Sequence, residues 1–522
     1  MDTKALRQKI LDLAIRGKLV PQDPKDEPAA VLLERIRAEK QRMVKDGKLK
    51  PKDIKNDTVI FKGDDNLHYE KFQDGTVKCI EDEIPFELPE GWSWTRLGSL
   101  FSTITGSTPS TKDASLYGDE YPFYKPTDLD AGFDVCVSED TVSEKGYKNG
   151  RILPMYSVLV TCIGATIGKT GYIKNSGICN QQINAILPNT FILPEYTYFC
   201  MCSEFEQQQI WTNSSATTLP ILNKSKFDIL FFPVPPKAQQ TRTVERIKEL
   251  LHFVEIIQQE KRTLQETIKL TKSKILDLAI RGKLVPQDPN DEPASVLLER
   301  IRSEKEELIK QGKIKRDKKE SVIFKGDDNS YYLRTGGVEE SLENWRFDDL
   351  PETWKICCLG ELCDYGDCIN VNTEDIAEDA WILDLEDIEK DTGMVLKKVT
   401  KAQRNSVSTK HKFHSGQVLY SKLRPYLNKV VLSDADGYCT SEILPLEFKN
   451  CVLPEYARYY LMSGTFITYA NHCSYGVKMP RLGTTDGKKA IFSLPPLSEQ
   501  KCIVETIDFC FMQLNKISEA LA

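Results

Sequence analysis

The chain lacks any apolar run long enough to cross a membrane, and it lacks an apolar core near its amino terminus. Its 522 residues are 40% hydrophobic and 28% charged, which is typical of a globular protein rather than of a disordered one. No apolar stretch approaches about 18 residues, and the opening MDTKALRQKI carries charges where a signal peptide needs apolar side chains. We expect a soluble, cytoplasmic protein of about two to four domains that makes no contact with a membrane.

Motifs for catalysis are also scarce. The segment GATIGK at Gly164 has three residues between its glycines, whereas a phosphate-binding P-loop requires four. The Asn-Pro-Pro-aromatic tetrapeptide, with which adenine methyltransferases hold a flipped base, does not occur. The five histidines are scattered, and the 15 cysteines lack metal-ligand or redox spacing. We therefore expect reduced thiols and no catalytic residue, metal or cofactor in this chain.

Aspartate and glutamate are missing from four stretches of a chain whose net charge is −7. The longer two are residues 145–194 and 392–433, and the shorter two are residues 207–227 and 461–485. A polyanion requires lysine and arginine near its phosphates, and a neighbouring carboxylate would repel it. The acid-free stretches therefore predict nucleic-acid binding despite the acidic average.

These stretches and the segments beside them also contain side chains that could contact base edges, since Gln pairs with adenine, Arg with guanine and Glu with cytosine. For any single residue, solvation at the surface is the alternative explanation, and the pattern as a whole carries the prediction. The predicted DNA-binding residues of the first half are Lys145, Lys148, Arg151, Thr161, Thr166, Lys169, Gln181, Gln182, Thr217 and Thr218. Those of the second half are Arg404, Lys410, Lys422, Arg424, Tyr426, Lys429, Glu442, Lys478 and Arg481.

One block of the chain occurs twice. Residues Lys9–Lys40 recur at Lys274–Lys305 with three substitutions, and the octapeptide VIFKGDDN occurs at Val59 and again at Val322. A Leu-Pro-Glu-x-Trp opening and a Pro-Pro exit bound a divergent region in each half. A repeat this long predicts two equivalent structural positions. The same frame therefore holds two different recognition regions, as two unlike DNA half-sites would require.

The repeat is circularly permuted about a central helix that we predict from about Lys237 to Arg281. The first part of this helix resembles the carboxyl-terminal tail, and its last part resembles the amino terminus. Gly282 and Pro286 follow as the predicted carboxyl-terminal cap and stop. A chain built this way can close on itself with approximate two-fold symmetry, with tail and amino terminus forming a second, antiparallel helix. A long core helix of one domain is the alternative. The apolar stripe of the central helix follows heptad spacing at Leu250, Val254, Ile257, Leu264, Ile268, Ile275 and Leu278.

The whole chain resembles the specificity subunit of a type I restriction-modification system. The resemblance is carried by the repeated ILDLAIRGKLVPQDP, the Leu-Pro-x-x-Trp openings, VLVTCIGATIGK at Val158, the Pro-Pro exits and GVKMPR at Gly476. It implies two target-recognition domains that each bind one half of a split sequence in double-stranded DNA. It also implies helices that space the two domains and dock modification subunits, which we expect in two copies.

The partners that the resemblance implies would carry the chemistry. Modification subunits would bind S-adenosylmethionine and methylate adenine at N6, and restriction subunits would use ATP and Mg for translocation and cleavage. The polar stretches after each repeated block are longer than the family plan needs. We keep two alternatives: a self-contained methyltransferase-nuclease fusion, and a coiled-coil adaptor that never contacts nucleic acid.

The predicted fold is α+β, with two globular α/β target-recognition domains separated by two long antiparallel, coiled-coil-like helices in circular pseudo-two-fold symmetry. The conserved helical regions and the carboxyl-terminal helix would form the frame. The predicted boundaries are a helical region at 1–40, a linker or insert at 41–87, the first recognition domain at 88–236, the central helical region at 237–305, a second linker or insert at 306–349, the second recognition domain at 350–496 and the carboxyl-terminal helix at 497–522.

Overall fold

A computed structural model describes residues 2–215, 219–313, 321–328, 330–342, 350–404 and 408–521. The chain divides into two compact units, Met1–Glu260 and Lys261–Ala522. The helices are α1 Thr3–Ile15, α2 Ala29–Lys45, α3 Leu97–Leu100, α4 Glu144–Asn149, α5 Pro194–Met201, α6 Glu204–Asn213, α7 Lys224–Asp228, α8 Lys237–Ala279, α9 Ala294–Lys310, α10 Leu359–Leu362, α11 Pro454–Leu461, α12 Gly464–His472, α13 Thr484–Lys489 and α14 Leu497–Leu521.

The strands are short, and both units combine them with helices, as the predicted α+β class requires. Those of the first unit are β1 Val59–Lys62, β2 His68–Lys71, β3 Val77–Cys79, β4 Ser93–Arg96, β5 Thr103–Thr105, β6 Tyr117–Tyr124, β7 Asp140–Val142, β8 Val158–Thr161, β9 Thr170–Tyr172, β10 Ile178–Cys179, β11 Ile183–Ile186 and β12 Phe231–Val234. Those of the second unit are β13 Ser321–Lys325, β14 Tyr331–Thr335, β15 Val338–Ser341, β16 Lys355–Cys358, β17 Ile369–Val371, β18 Trp381–Leu383, β19 Val399–Thr400, β20 Lys410–Phe413, β21 Val418–Ser421, β22 Val430–Leu432, β23 Gly437–Thr440, β24 Ile443–Leu446, β25 Ser474–Tyr475, β26 Arg481–Leu482 and β27 Ile491–Leu494.

The region predicted for recognition in each unit is built on small, mostly antiparallel sheets. In the first unit the strand orders are β5-β11-β8-β9, β10-β6-β7 and β12-β4. In the second unit they are β22-β21-β24, β17-β20-β23-β18-β19, β16-β27 and β25-β26. Strands β8 and β21 pair with β11 and β24 in the same antiparallel register, and all four are buried along their length. The loops that leave these buried strands are therefore held by the core.

The repeated block makes the same contact in both units. Gly17 after α1 and Gly282 after α8 adopt φ of 65° and 66°, the left-handed conformation that ends a helix at glycine. A Cβ at either position would lie 2.5 Å from the side chain of the proline in the Leu-Pro-x-x-Trp opening, Pro89 or Pro351. The predicted cap at Gly282 is thus confirmed, and close packing of block against opening explains why the two motifs recur together.

Helix α8 contains 43 residues, close to the predicted central helix. Val254 and Ile268 of the predicted stripe are buried, whereas Leu264 is exposed. In the first unit α1 approaches α8 through an ion pair between Arg7 and Glu255 at 3.7 Å. The stripe is thus only partly buried: Val254 belongs to the core of the first unit, and the stripe positions nearest the helix ends, Leu250 and Leu278, are half-buried.

Each polar stretch that follows a repeated block folds into a three-stranded antiparallel sheet, β1-β2-β3 in the first unit and β13-β14-β15 in the second. In both sheets the aspartate of the repeated octapeptide, Asp65 or Asp328, accepts a hydrogen bond at 2.7 Å from a tyrosine hydroxyl. We call these the insert sheets.

The cysteines and the helices carry two further findings. All 15 cysteines lie within the described residues, and none of them is paired in a disulfide. Burial raises the pKa of the Cys162 and Cys179 thiols to about 12, so these side chains pack as apolar groups.

Among the described helices, none is both long and apolar enough to span a bilayer.

Candidate nucleic-acid interface

In the first unit the two acid-free stretches meet through their backbones. The amide of Gly164 donates to the carbonyl of Pro220 at 3.0 Å, and the amide of Cys162 donates to the carbonyl of Gln182 at 2.7 Å. These bonds join three segments at the end of the buried strand β8. We call residues 162–169, 180–182 and 219–222 the first loop surface.

In the second unit the residues 260 positions later make the same bonds. The amide of Arg424 donates to the carbonyl of Pro480 at 2.7 Å, and that of Lys422 donates to the carbonyl of Glu442 at 3.0 Å. We call residues 422–429, 440–442 and 474–482 the second loop surface. The two surfaces share a backbone plan, while most of their side chains differ.

The turns of the two surfaces use left-handed backbone at the same two positions. In the first surface these positions are Gly164 and Gly168, with φ of 101° and 88°. In the second they are Arg424 and Asn428, both with φ of 49°. Asparagine tolerates this conformation, whereas arginine adopts it at a cost, and such residues are typical of functional sites. The Nε atom of Arg424 is buried without a hydrogen-bond partner among the described residues.

Besides Lys169, three predicted residues of the first unit lie on the first loop surface. Thr166 and Gln181 are exposed, and Gln182 is half-buried. Gln181 accepts a hydrogen bond from the Thr108 hydroxyl at 2.5 Å, and Gln182 accepts one from the Asn180 amide at 2.9 Å. Their remaining amide groups can still contact base edges.

The predicted cations of the first unit have partners from outside the acid-free stretch. Lys145 pairs with Asp113 at 3.1 Å, Lys148 with Glu144 at 2.8 Å, and Lys169 with Asp130 at 2.6 Å. Arg151 donates to the carbonyl of Thr105 at 2.5 Å. The absence of acids from a stretch of sequence therefore does not leave its cations unpaired.

One further prediction for the first unit lies away from the surface, and two others lie outside the described residues. Thr161 is fully buried at the end of β8, because β8 is covered on both faces, so direct contact with a base is excluded in this conformation. Thr217 and Thr218 lie outside the described residues, and their assignment stays a prediction.

In the second unit, Arg404 and Lys410 belong to a buried ion cluster. The side chains of Arg404 and Lys410 are 11% and 3% exposed, and both approach Asp384. Arg404 also donates to Asp387, whose side chain is fully buried. Burial of these cations contradicts their prediction as phosphate contacts, since their charges are already compensated within the fold.

Lys429 is likewise a structural residue. Its ammonium donates to the carbonyl of Leu385 at 2.7 Å, and burial lowers its pKa. The remaining predictions, Lys422, Arg424, Tyr426 and Lys478, lie on the second loop surface, where Tyr426 and Lys478 are exposed. These four side chains form the cationic and aromatic part of that surface.

Glu442 and Arg481 contact each other. The Nε and Nη2 atoms of Arg481 donate to the Glu442 carboxylate at 2.8 to 3.1 Å, and Nη1 donates to the carbonyl of Met479 at 3.3 Å. The carboxylate raises the pKa of Arg481 further. The pair neutralises itself, so neither partner is available as a separate phosphate or cytosine contact.

Apolar side chains on the two loop surfaces were missed by the search for charge. Leu219 is 53% exposed, Met479 is 42% exposed and Val477 is fully exposed. The signal that could have found them is their position before or within the Leu-Pro and Met-Pro segments of the acid-free stretches. In the described parts of the chain no cluster of His, Cys, Asp and Glu could hold a metal.

Comparison with known proteins identifies the family. The model described as "Type I restriction modification DNA specificity domain" matches residues 89–266 and again 351–520. The EcoAI specificity subunit of Escherichia coli is 27% identical over 98% of this chain and 90% of its own length. The EcoEI specificity subunit of E. coli is 29% identical over 69% of this chain and 61% of its own. Nothing in these matches supports a self-contained methyltransferase-nuclease fusion.

A solved structure shows the same fold. A chain described under "Structural basis underlying complex assembly and conformational transition of the type I R-M system" superposes with a TM-score of 0.53 at 16% identity, over 84% of this chain and 94% of that one. The two matched regions each contain one of the loop surfaces, and together they cover more than half of the sequence. The chain therefore belongs to the type I restriction-modification DNA specificity family, with two copies of the specificity domain.

Proposed function

We propose that this specificity subunit recognises a split DNA sequence, one half with each loop surface. The observation that carries the proposal is the equivalence of backbone contacts at Gly164–Pro220 and Arg424–Pro480 beneath unlike side chains. A shared scaffold with different polar groups is suited to two unlike half-sites. Cations set the phosphate register, and side chains at base edges discriminate sequence.

The side chains that we assign to recognition are those that the fold leaves on the two surfaces. In the first unit they are Thr166, Gln181 and Gln182, and in the second Lys422, Arg424, Tyr426 and Lys478. The backbone amides of the loops offer further donors to phosphate. Lys145 and Lys148 of α4, which are paired with carboxylates, contribute to the electrostatic attraction of DNA rather than to the discrimination between bases.

We propose that the recognition domains span 88–236 and 350–496, and that residues 1–40, 237–305 and 497–522 form a frame of long antiparallel helices with circular pseudo-two-fold symmetry. Matching contacts inside each unit support this. Arg7 approaches Glu255 at 3.7 Å, and Lys272 donates to Asn515 at 2.6 Å. The amides of Leu193 and Leu453 donate at 2.8 Å to the side chains of Gln240 on α8 and Gln500 on α14.

The chemistry in this proposal belongs to cytoplasmic partners. Two modification subunits would bind S-adenosylmethionine and methylate adenine at N6, and restriction subunits would use ATP and Mg to move along DNA and cut it. The relatives support this division of labour, since they are specificity subunits. The repeated frame would dock two copies of one partner, and the insert sheets at 41–87 and 306–349 would extend that contact.

The test is a map of methylated adenines. We would co-express the full chain with its modification subunit in a host without adenine methylation and sequence the genome for N6-methyladenine. The expected result is a motif of two short defined halves separated by a constant number of unspecified bases. The modification subunit expressed alone is the control and should leave no such motif. A contiguous motif, or methyl transfer by this chain alone, would contradict the proposal.

A further inference from the structure

The second loop surface carries a β-hairpin, and only Lys478 of this hairpin is among the side chains assigned to recognition. Strands β25 and β26 pair antiparallel, with Ser474 opposite Leu482 and Tyr475 opposite Arg481. Gly476 begins the tip at φ 95°, and a Cβ there would lie 3.2 Å from the carbonyl of Met479. The tip therefore depends on glycine to turn tightly.

The hairpin tip, residues 475–479, exposes apolar side chains to water. Val477 is fully exposed, Tyr475 is 62% exposed and Met479 is 42% exposed. Single exposed apolar residues are ordinary, but a contiguous group on a projecting element marks a binding surface. Within the described part of the chain Val477 is uncovered, and Tyr475 and Met479 are only partly covered.

The base of the hairpin is held in place from the neighbouring loops. Arg481 binds both oxygens of Glu442 and also the carbonyl of Met479. The amide of Leu482 donates to the carbonyl of Lys422 at 3.0 Å. A mobile tip on a fixed base would lose more entropy on binding than a tip whose carbonyl is already held. Glu442 and Arg481 are thus positioning residues.

The positive charges around the tip favour duplex DNA as its binding partner. Lys478 lies within the tip, and Lys422 and Arg424 lie in the adjoining loop. The carboxylate of this surface, Glu442, is neutralised by Arg481. Phosphates on both walls of a groove match the cations, and thymine methyl groups on its floor match the apolar side chains of the tip. The major groove of B-DNA, about 12 Å wide, admits a two-stranded β-ribbon, and the thymine methyl group is an apolar feature there.

The first unit carries a related element with different chemistry. Ser215 pairs with Ile221 in an isolated bridge, and Leu219 stands at the position equivalent to Met479. Both Leu219 and Met479 precede a proline and are exposed. The ion pair has no counterpart, because Gln182 and Ile221 occupy the places of Glu442 and Arg481. Both units therefore expose an apolar side chain at this position, but only the second unit has an ion pair beside it.

We propose that the hairpin tip of the second unit enters a DNA groove and that Val477 and Met479 contact the bases, with Glu442 and Arg481 positioning the tip. This inference rests on the proposed function. It assigns discrimination in the second half-site to apolar contact, in addition to hydrogen bonds from the polar residues.

The test compares Val477→Ser/Met479→Ser with Val137→Ser, a control that removes an exposed apolar side chain from the first unit outside its loop surface. Each full chain is co-expressed with its modification subunit, and methylated motifs are mapped. We expect the double variant to relax or change one half of the motif by about tenfold in preference, while the other half stays. The affinity of the purified variant complex for a random-sequence duplex should stay within about twofold of the wild-type affinity. The control should alter neither.

The positioning role has its own readout. Glu442→Ala and Arg481→Ala should change the same half-site, and the combined variant should do no more than either alone. The salt dependence of binding to the random duplex should be unchanged. If Arg481 instead contacted phosphate, Arg481→Ala alone would lower the slope of log affinity against log salt by about one.

The outcomes separate this inference from the proposed function. An unchanged split motif in the Val477→Ser/Met479→Ser variant overturns the inference and leaves the proposed function standing. Loss of random-duplex binding together with the motif also overturns it, since a base contact should not affect non-specific affinity. A wild-type complex that yields no split motif contradicts the proposed function itself.

Discussion

Arg424 combines an unfavourable backbone conformation with a half-buried side chain on the second loop surface. Its φ of 49° is the conformation that Gly164 adopts at the equivalent place in the first unit. A non-glycine residue in this conformation costs roughly 1 kcal/mol or more. Glycine would adopt this conformation without that cost, so we propose that the arginine side chain serves binding rather than folding.

The variant Arg424→Gly should therefore separate binding from stability. We expect weaker binding to a random-sequence duplex, with the salt slope reduced by about one because one phosphate contact is lost. The urea midpoint should be unchanged or higher, since the backbone strain is removed. Lys501→Ala, which removes an exposed cation from α14, is the control and should leave the salt slope unchanged. A lower urea midpoint with intact DNA binding would show that Arg424 stabilises the fold instead.

Glu206 is a buried acid inside α6. It lies fully buried, with the Cys200 thiol 3.7 Å away and the Gln209 amide donating at 3.0 Å. Burial raises its pKa well above the ordinary value, and the two hydrogen bonds do not offset that effect. The equivalent position in the second unit is Phe466, also buried. Glu206 thus occupies an apolar site in its neutral form.

The variant Glu206→Gln should change how stability depends on pH. The unfolded chain ionises Glu206 near its ordinary pKa, whereas the folded chain holds the proton, so wild-type stability falls as pH rises between the two values. The slope from this one group is at most about 1.4 kcal/mol per pH unit. Urea midpoints measured from pH 4 to pH 8 should therefore fall less steeply in the variant. The exposed Glu204→Gln is the control, and parallel profiles for Glu206→Gln and wild type would contradict the assignment.

At the scale of elements, the two insert sheets fill equivalent buried positions differently, the first with an ion pair and the second with apolar side chains. In the first, buried Glu70 on β2 accepts two hydrogen bonds from Arg96 on β4, at 3.0 and 2.7 Å. In the second, Leu333 and Cys358 occupy these positions within an apolar cluster. Burial of Glu70 opposes its ionisation, but hydrogen bonds from Arg96 and Thr58 outweigh it and hold its pKa below the ordinary range.

Exchanging the ion pair for the apolar pair tests this equivalence. Arg96→Ala alone leaves a buried carboxylate without its cation and should lower stability by about 3–5 kcal/mol. Glu70→Leu/Arg96→Cys should cost less than that single change, because both charges are removed together. The stability of both variants is measured by thermal unfolding. Arg334→Ala is the control: it removes one partner of an exposed ion pair in the second sheet and should lower stability by under about 1 kcal/mol. A double variant as unstable as Arg96→Ala would show that the sheets are not interchangeable.

The ionisation of Glu70 adds a pH dependence of opposite sign to that of Glu206. Because its folded pKa is depressed, its contribution is present above the unfolded pKa and is lost as pH falls through the folded value. The first insert sheet is therefore expected to weaken in acid, whereas the cluster around Leu333 and Cys358 contains no comparable carboxylate pair among its members.

At the scale of the whole molecule, α8 is the element shared by both units. Its residues up to Glu260 belong to the first unit and those from Lys261 to the second. We propose that its length sets the spacing between the two recognised half-sites, as a helical frame can do. The spacing is then a property of the frame and independent of the loop surfaces.

Adding four residues between Glu260 and Lys261 tests this separation. One helical turn lengthens a helix by about 6 Å, close to two base-pair steps of about 3.4 Å. The mapped motif should keep both halves and change the number of unspecified bases between them. Replacing residues 259–262 by alanine without lengthening is the control and should keep the wild-type spacing. An unchanged spacing in the lengthened chain would contradict the proposal.

The repeated frame was predictable because its signals are local. The cap at Gly282 follows from left-handed backbone at glycine after a helix, and α8 begins and ends within a few residues of its prediction. The repeated block, with only three substitutions, predicted two equivalent structural positions, and the family resemblance was confirmed over 89–266 and 351–520. These conclusions need only propensity, periodicity and identity along the chain.

The interface itself was decided by tertiary structure. Charge pairing depends on distance in space, so Lys169 finds Asp130 and Arg404 finds Asp384 across tens of residues that no local pattern links. The same folding buried Thr161 and exposed Val477. The amino-acid sequence by itself determined that the chain holds two recognition regions in one repeated frame. Which side chains of those regions face solvent depended on contacts between distant segments, because burial and Coulomb compensation are properties of the folded chain.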